Sequence, residues 1–210
     1  MIFEEKGDLL AIKSGIIAHQ VNCRGGMGAG IARQIRKKLL TDEQYGHYQN
    51  MCRKHGKTLL GKCFIYPVES RLDLYVANLF GENIPTGRTL DTDYQALRNC
   101  FMELGQKTGR LPVYIPGYIG CGLAGGNWDF VYGKIIQPLF QDSPIRFHII
   151  YSMDSIRRLW GEFGDVQMNP ETETLEEHWH CFPAGTFREK VWEWFEETFD
   201  LNVAENLMYG

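Results

Sequence analysis

The sequence predicts an α/β fold: a three-layer α/β/α arrangement around a mixed sheet of about six strands, followed by a small loop-and-helix extension. Three observations predict it. Short apolar runs alternate with helical patterns that have recognisable starts. Two glycine-rich loops each follow an apolar run and lead into a helical pattern. The charge balance also reverses late in the chain, which marks a boundary.

The strand-like runs are a weak one at the amino terminus, then 16–21 (IIAHQV), 60–66, 73–79, 112–116 (PVYIP) and 145–151. A basic helix is expected to begin near Ile31. Thr41 with Gln44 forms a capping-box pattern before a second helix, and Gly56 is its natural stop. Asp91 or Thr92 is expected to cap a helix carrying Tyr94, Leu97, Phe101 and Leu104 and ending near Gly105 or Gly109. Asn127 is expected to cap one that starts at Trp128.

Composition narrows the class. The 210 residues are 44% hydrophobic and 13% aromatic, as in a globular protein. No apolar run approaches the roughly 18 residues of a membrane span, and MIFEEKGDLL lacks a basic-then-apolar leader pattern, so no membrane partner is expected. Six scattered cysteines without a CxxC pair suit free thiols in a reducing, cytoplasmic setting. The net charge of −4 conceals a split: residues 1–154 carry 18 Lys and Arg against 14 Asp and Glu, and residues 155–210 carry 4 against 12. Two regions follow, 1–154 and an acidic extension, 155–210. A mildly basic first region suits a small anionic ligand.

In the extension, Thr186 and Glu189 open an amphipathic helix whose Phe187, Val191, Trp194, Phe195 and Phe199 share one face. That face is expected to dock on the chain's own first region or on another subunit, with a different protein as the alternative. His178, His180 and Cys181 lack the spacing of a structural zinc site, so no metal is expected.

The first glycine loop, within HQVNCRGGMGAGIARQI (19–35), lies at the carboxyl end of a strand, where open α/β sheets bind ligands. Glycines let a ligand approach main-chain amides, and a helix amino terminus favours phosphate. The loop is neither a Walker A motif nor a complete dinucleotide fingerprint, so alone it reads equally as a phosphate cradle or a turn. The second loop, IPGYIGCGLAGGNWDF (115–130), repeats the design. Two such loops could grip a diphosphate from both sides.

Gly7-Asp8-Leu9-Leu10, Asn22, the GMGAGIA run ending at Ala32, IGCGLAG at 119–125 and a closing strand with Tyr151 resemble the macro domain family over about residues 1–153. The segments YQNMCRKHGKTLLGKC and VANLFG resemble its branch of terminal ADP-ribose glycohydrolases, DNA ADP-ribosyl glycohydrolases and ADP-ribose-1″-phosphate phosphatases. The resemblance implies ADP-ribose, or an ADP-ribosylated protein or nucleic acid, as ligand, and no separate cofactor. Asp8, with Leu9, would meet adenine, unless Asp8 is only a turn carboxylate. Asn22 would orient the distal ribose, unless it only caps its strand. Met27, Gly28, Ala29, Gly30 and Ile31 would hold the distal phosphate and ribose. Gly120, Cys121, Gly122, Leu123, Ala124 and Gly125 would close on the diphosphate from the other side, and Tyr151 would pack on adenine or its ribose. The tail also resembles a short module of phage-linked and bacterial proteins.

Whether the chain is a hydrolase is less direct. Residues 20–34 and 117–128 contain no Asp or Glu. Glycohydrolases of this branch use a lysine after the strand corresponding to 73–79 and, in one type, a second-loop aspartate. Leu79 or Phe80 and Ala124 are expected at those places. The remaining catalytic candidates are Asn22, through a positioned water, His19 and Asp93, although alternation turns His19 to the opposite sheet face and Asp93 is a natural helix-start residue. A hydrolase acting on an ADP-ribose derivative is therefore the first reading and a non-catalytic ADP-ribose binder the second. A dinucleotide-dependent oxidoreductase is disfavoured by the incomplete fingerprint.

Overall fold

The computed structural model describes residues 1–152 and Ser155. One compact unit spans Met1–Ile150 and a second begins at Tyr151. The expected tail helix at 186–199 and the residues His178, His180 and Cys181 lie outside the described residues.

Six strands form one mixed sheet in the order β1-β6-β5-β2-β4-β3. They are β1 (Ile2–Lys6), β2 (Gly15–Asn22), β3 (Cys63–Pro67), β4 (Leu74–Glu82), β5 (Val113–Pro116) and β6 (Phe147–Tyr151). β2 pairs parallel with β4 and β5, β5 pairs parallel with β6, and β3 pairs antiparallel with β4. Burial of β2 on both faces explains why IIAHQV is nearly all apolar.

Three longer helices are α1 (Gly30–Leu39), α2 (Asp42–His55) and α3 (Tyr94–Lys107). The α2 start is a full capping box, with Thr41 Oγ1 accepting from the Gln44 amide at 3.2 Å and Gln44 Oε1 accepting from the Thr41 amide at 3.0 Å. Gly56 caps its end at φ 50°. Asp93, rather than Asp91 or Thr92, caps α3, its Oδ1 accepting from the Ala96 amide at 2.9 Å. That helix runs through Gly105 to Lys107. Asn127 caps a continuous run of α (Trp128–Phe130), π (Val131–Ile136) and α (Gln137–Phe140) turns, together α4.

Each sheet face has its own core. On the α1/α2 side, Ile17, Val76 and Ile150 meet Ile35 and Leu39, while Val21 and Phe80 meet Tyr48 and Cys52. Phe101 of α3 stands edge-on to Phe140 and Phe147, which stack on each other at 4.1 Å. All five described cysteines outside the tail are free and buried.

His19 and Asn78 are register partners in the centre of the sheet, both fully enclosed. The imidazole Nε2 lies 2.8 Å from Asn78 Oδ1, while His19 Nδ1 and Asn78 Nδ2 have no hydrogen-bond partner. Burial drives the His19 pKa down from 6.5 to about 4, against the smaller opposing effect of the Asn78 bond. The unfolded chain therefore binds a proton that the folded chain refuses. Stability is full above pH 6.5 and declines as pH falls from about 6.5 to about 4, by up to about 3 kcal/mol. Urea unfolding between pH 7 and pH 4 should show that decline, and His19→Gln should flatten it. In the same assay at pH 7, Phe101→Ala should cost about 3–5 kcal/mol and Thr41→Ala about 1 kcal/mol.

Candidate ADP-ribose cleft

Both glycine loops leave the carboxyl ends of adjacent parallel strands, the first from β2 and the second from β5. The first is shaped by Asn22, which is 7% exposed. Its Nδ2 donates to the Gly26 carbonyl at 2.8 Å, and its Oδ1 accepts from the Arg24 and Gly26 amides at 3.0 and 3.1 Å. Tyr48 and Tyr45 on α2 hold the same turn from behind, donating to the Asn22 and Gly25 carbonyls at 2.7 and 3.1 Å. Asn22 thus braces the loop with both ends of its amide.

Beyond this brace the chain is open. Gly28, Ala29 and Gly30 are exposed, and a Cβ added at Gly28 or Gly30 would meet nothing within 4 Å. Ala29 is the α1 N-cap and offers no side-chain acceptor; the first turn contains no acidic residue. The two other long helices do carry side-chain caps, Thr41 and Asp93. The leading amides of α1 consequently face the loop without a capping side chain, as an anion-binding helix start requires.

The second loop is fixed to the segment before α3. Asp91 and Thr92 amides both donate to the Ala124 carbonyl, at 2.9 and 3.1 Å, and Thr92 Oγ1 donates to the Gly120 carbonyl at 2.6 Å. Gln20 of β2 completes the chain, its Nε2 donating to Thr92 Oγ1 at 3.0 Å. Gly120 has φ +73°, and a Cβ there would lie 2.7 Å from Gln20 Oε1. Only glycine fits so tight a junction. Asp91 orders the preceding turn, accepting from the Thr86 and Gly87 amides at 2.7 Å and from the Thr86 hydroxyl at 2.6 Å. Those donors, the Thr86 hydroxyl foremost, hold the exposed carboxylate below its usual range.

The residues expected at the site therefore divide. Gly28, Ala29, Gly30, Gly122 and Leu123 are exposed, Leu123 to 68%. Ile31 and Gly120 are half-buried, and Gly125 donates to the Gly122 carbonyl. Asp8 is exposed at a 3₁₀ turn, Leu9–Ala11, where it accepts from the Leu10 amide at 2.9 Å. This is its turn role, with the second oxygen still available to a ligand. Leu9 and Met27 are corrections: both side chains are buried, Leu9 beneath the α1 side of the sheet and Met27 among Val21, Tyr48 and Phe80, so only their backbones could face a ligand. Tyr151 is fully buried at the end of β6. Cys121 is buried too, its thiol donating to the Ile119 carbonyl at 3.3 Å, a packing role.

Two of the catalytic candidates take the structural roles that strand alternation and helix-start chemistry offered them. His19 is sealed in the core and neutral at ordinary pH, so it is a structural residue. Asp93 spends its Oδ1 on the α3 cap. The strand expected to end at Leu79 runs on to Glu82, so the position after it is neither Leu79 nor Phe80, both completely buried. Glu82 at that end escaped the sequence reading because Gly81-Glu82-Asn83 has turn chemistry. It is 9% exposed and sits opposite Asn22.

No family model matches the chain. An ADP-ribose 1″-phosphate phosphatase of Saccharomyces cerevisiae is 39% identical over 77 residues, 36% of this chain and 42% of the phosphatase, so the chain spans less than half the length of that relative. An uncharacterised 17.5 kDa protein of Enterobacteria phage T4 is 32% identical over 139 residues, which cover 61% of this chain and 83% of the phage protein. Among solved structures, the macrodomain of Mycobacterium tuberculosis DarG matches with a TM-score of 0.60 and 26% identity, over 72% of this chain and 97% of that domain. With its six-stranded mixed sheet and its paired glycine loops, the chain belongs to the macro domain family.

Proposed function

We propose that the chain binds ADP-ribose between its two glycine loops and hydrolyses an ADP-ribose derivative. The bond cleaved joins ADP-ribose to a protein or nucleic acid, or to the phosphate of ADP-ribose-1″-phosphate. The observation that carries this reading is the start of α1, where a helix without a side-chain cap opens directly behind exposed Gly28 and Ala29. The second loop, on the neighbouring strand, supplies the opposite wall. The mildly basic first region supports an anionic ligand, and the buried free thiols suit a cytoplasmic setting. The amphipathic face at 187–199 is read as docking on the chain's own first unit or on another subunit. Binding without turnover is the second reading, favoured by the absence of any Asp or Glu from both loops.

Calorimetry with ADP-ribose should give saturable binding, and no heat at high micromolar protein would sink both readings. Incubation with ADP-ribosylated glutamate peptide, ADP-ribosylated oligonucleotide and ADP-ribose-1″-phosphate then separates hydrolase from binder. Gly28→Val tests the wall itself. Because a Cβ at Gly28 has free space, the melting temperature should stay at the wild-type value while ADP-ribose affinity falls about tenfold or more, about 1.4 kcal/mol. Asn22→Ala removes the brace and should lower both affinity and stability, the latter by about 1–3 kcal/mol. Unchanged affinity in both variants would place the ligand elsewhere.

A further inference from the structure

Glu82 sits where the two loops are tied together. The register between β2 and β4 runs Val21 with Phe80 and then Asn22 with Glu82, so Gly81 is an extra residue and Glu82 is brought beside Asn22. Such bulges re-aim side chains and recur beside active sites. Adjacent strands lie about 4.8 Å apart, so Glu82 stands one strand spacing from the residue that braces the first loop. Its main chain is bonded on both sides: the carbonyl accepts from the Cys23 amide at 2.9 Å, and the residue forms an isolated antiparallel bridge with Thr92, whose hydroxyl holds the second loop.

The side chain is not engaged in the same way. Among the described residues no group hydrogen-bonds the Glu82 carboxylate, although the residue is nine-tenths buried. Its oxygens are not among the sealed, unpartnered polar atoms of the described residues, so a carboxylate without a protein partner at the end of β4 is left in reach of water. The charged and titratable groups that act on it are Asp91, in the turn over the second loop, and Cys23, at the base of the first. Burial first, and the Asp91 charge second, push its carboxyl above the usual range. Burial likewise pushes the Cys23 thiol up to about 11, so no thiolate competes with Glu82 as a base.

We propose that Glu82 is the general base of the hydrolysis, taking the proton from the water that attacks the anomeric carbon of the distal ribose. The inference rests on the hydrolytic reading above. In the step, one water O–H bond breaks and its proton goes to a Glu82 carboxylate oxygen. The water oxygen bonds to the anomeric carbon, and the bond from that carbon to the leaving group breaks, its electron pair departing with the leaving group. No proton is delivered to that group. The preferred substrates are accordingly those whose leaving group is a stable anion, an acyl carboxylate or a phosphate, rather than a nitrogen or an alkoxide. The proton on Glu82 passes to solvent afterwards.

The test uses the full chain, with an ADP-ribosylated glutamate peptide and ADP-ribose-1″-phosphate as substrates. Glu82→Gln should lower kcat about 100-fold or more and leave the Kd for ADP-ribose within about threefold. At pH 7.5 the variant should melt at or above the wild-type temperature, because a raised folded-state carboxyl pKa makes the ionised side chain a cost that glutamine removes. Wild-type kcat should rise with pH through an apparent pKa above about 4.3, the free glutamate value, and the variant should lose that limb. Turnover of Glu82→Gln within threefold of wild type, or loss of ADP-ribose binding together with turnover, overturns the proposal while the hydrolase stands. A wild-type chain that binds ADP-ribose and leaves both substrates intact overturns the hydrolytic reading and this inference with it. If Glu82→Gln does not fold, the wild-type profile decides, and a kcat flat from pH 8 to pH 4 is the overturning result.

Discussion

The geometry of the cleft depends on one close approach, that of Gln20 to the main chains on either side of it. Its amide lies between Gly81 of β4 and Gly120 of the second loop, and a Cβ at either glycine would stand 2.7 Å from Gln20 Oε1. From the other end of the amide, a hydrogen-bond chain runs through Thr92 Oγ1 to the Gly120 carbonyl. The central strand, the segment before α3 and the second loop are thereby joined by a chain of side-chain hydrogen bonds in addition to the backbone bonds from Asp91 and Thr92 to Ala124. A side chain at either glycine would displace the Gln20 amide, and with it the bond to Thr92 that helps hold the second loop.

Much of this architecture is legible in the sequence because the sheet is buried on both sides. Continuous apolar runs at 16–21 and 112–116 could only be central strands, and the Thr41 and Asn127 caps follow from side-chain chemistry within one turn. The errors occur where several residues can do the same local job. Asp91, Thr92 and Asp93 are all able to cap a helix, and tertiary bonding decides among them: Asp91 orders the turn at 86–89, Thr92 holds Gly120, and Asp93 is left for Ala96. The end of β4 is missed for a similar reason. Gly81 reads as a breaker, yet the bulge absorbs it and pairing continues to Glu82. The π turns of α4 have no counterpart in the sequence pattern, since they depend on how Val131, Ile135 and Ile136 are buried.

The site is legible in outline and not in detail. Glycine spacing locates both loops, and the structure sets them at the carboxyl ends of adjacent parallel strands, where the proposed cleft lies. What the spacing cannot assign is which residues of a loop face the ligand and which anchor it. Met27 lies between Gly26 and Gly28 and is nonetheless a core side chain, since the cluster around Tyr48 and Phe80 needs its volume. Asn22, expected to reach toward a ribose, has both ends of its amide committed to Gly26 and Arg24. Glu82 is the converse, a site residue whose position depends on strand register, which no local pattern encodes.

Most polar groups in the described unit are satisfied, and the exceptions gather at two places. His19 Nδ1 and Asn78 Nδ2 are enclosed in the sheet, where no ligand reaches them. The others among the described residues, Gln20 Oε1 and Asn83 Oδ1, lie toward the carboxyl ends of β2 and β4, where the Glu82 carboxylate and the uncapped start of α1 are also without a side-chain partner. Sequences that fold well tend to satisfy local rules everywhere except where function requires otherwise. The charges also differ in sense across that end of the sheet: α1 offers unfilled donors to an anion, whereas Glu82 and Asp91 place negative charge where the first loop meets the turn before α3. In the proposed complex a diphosphate would be drawn to the first and kept from the second, orienting an ADP-ribosyl group with its anionic centre at α1 and its uncharged ribose toward the carboxylates. The electrostatic asymmetry of that end of the sheet would therefore set a direction for the proposed ligand as well as a site.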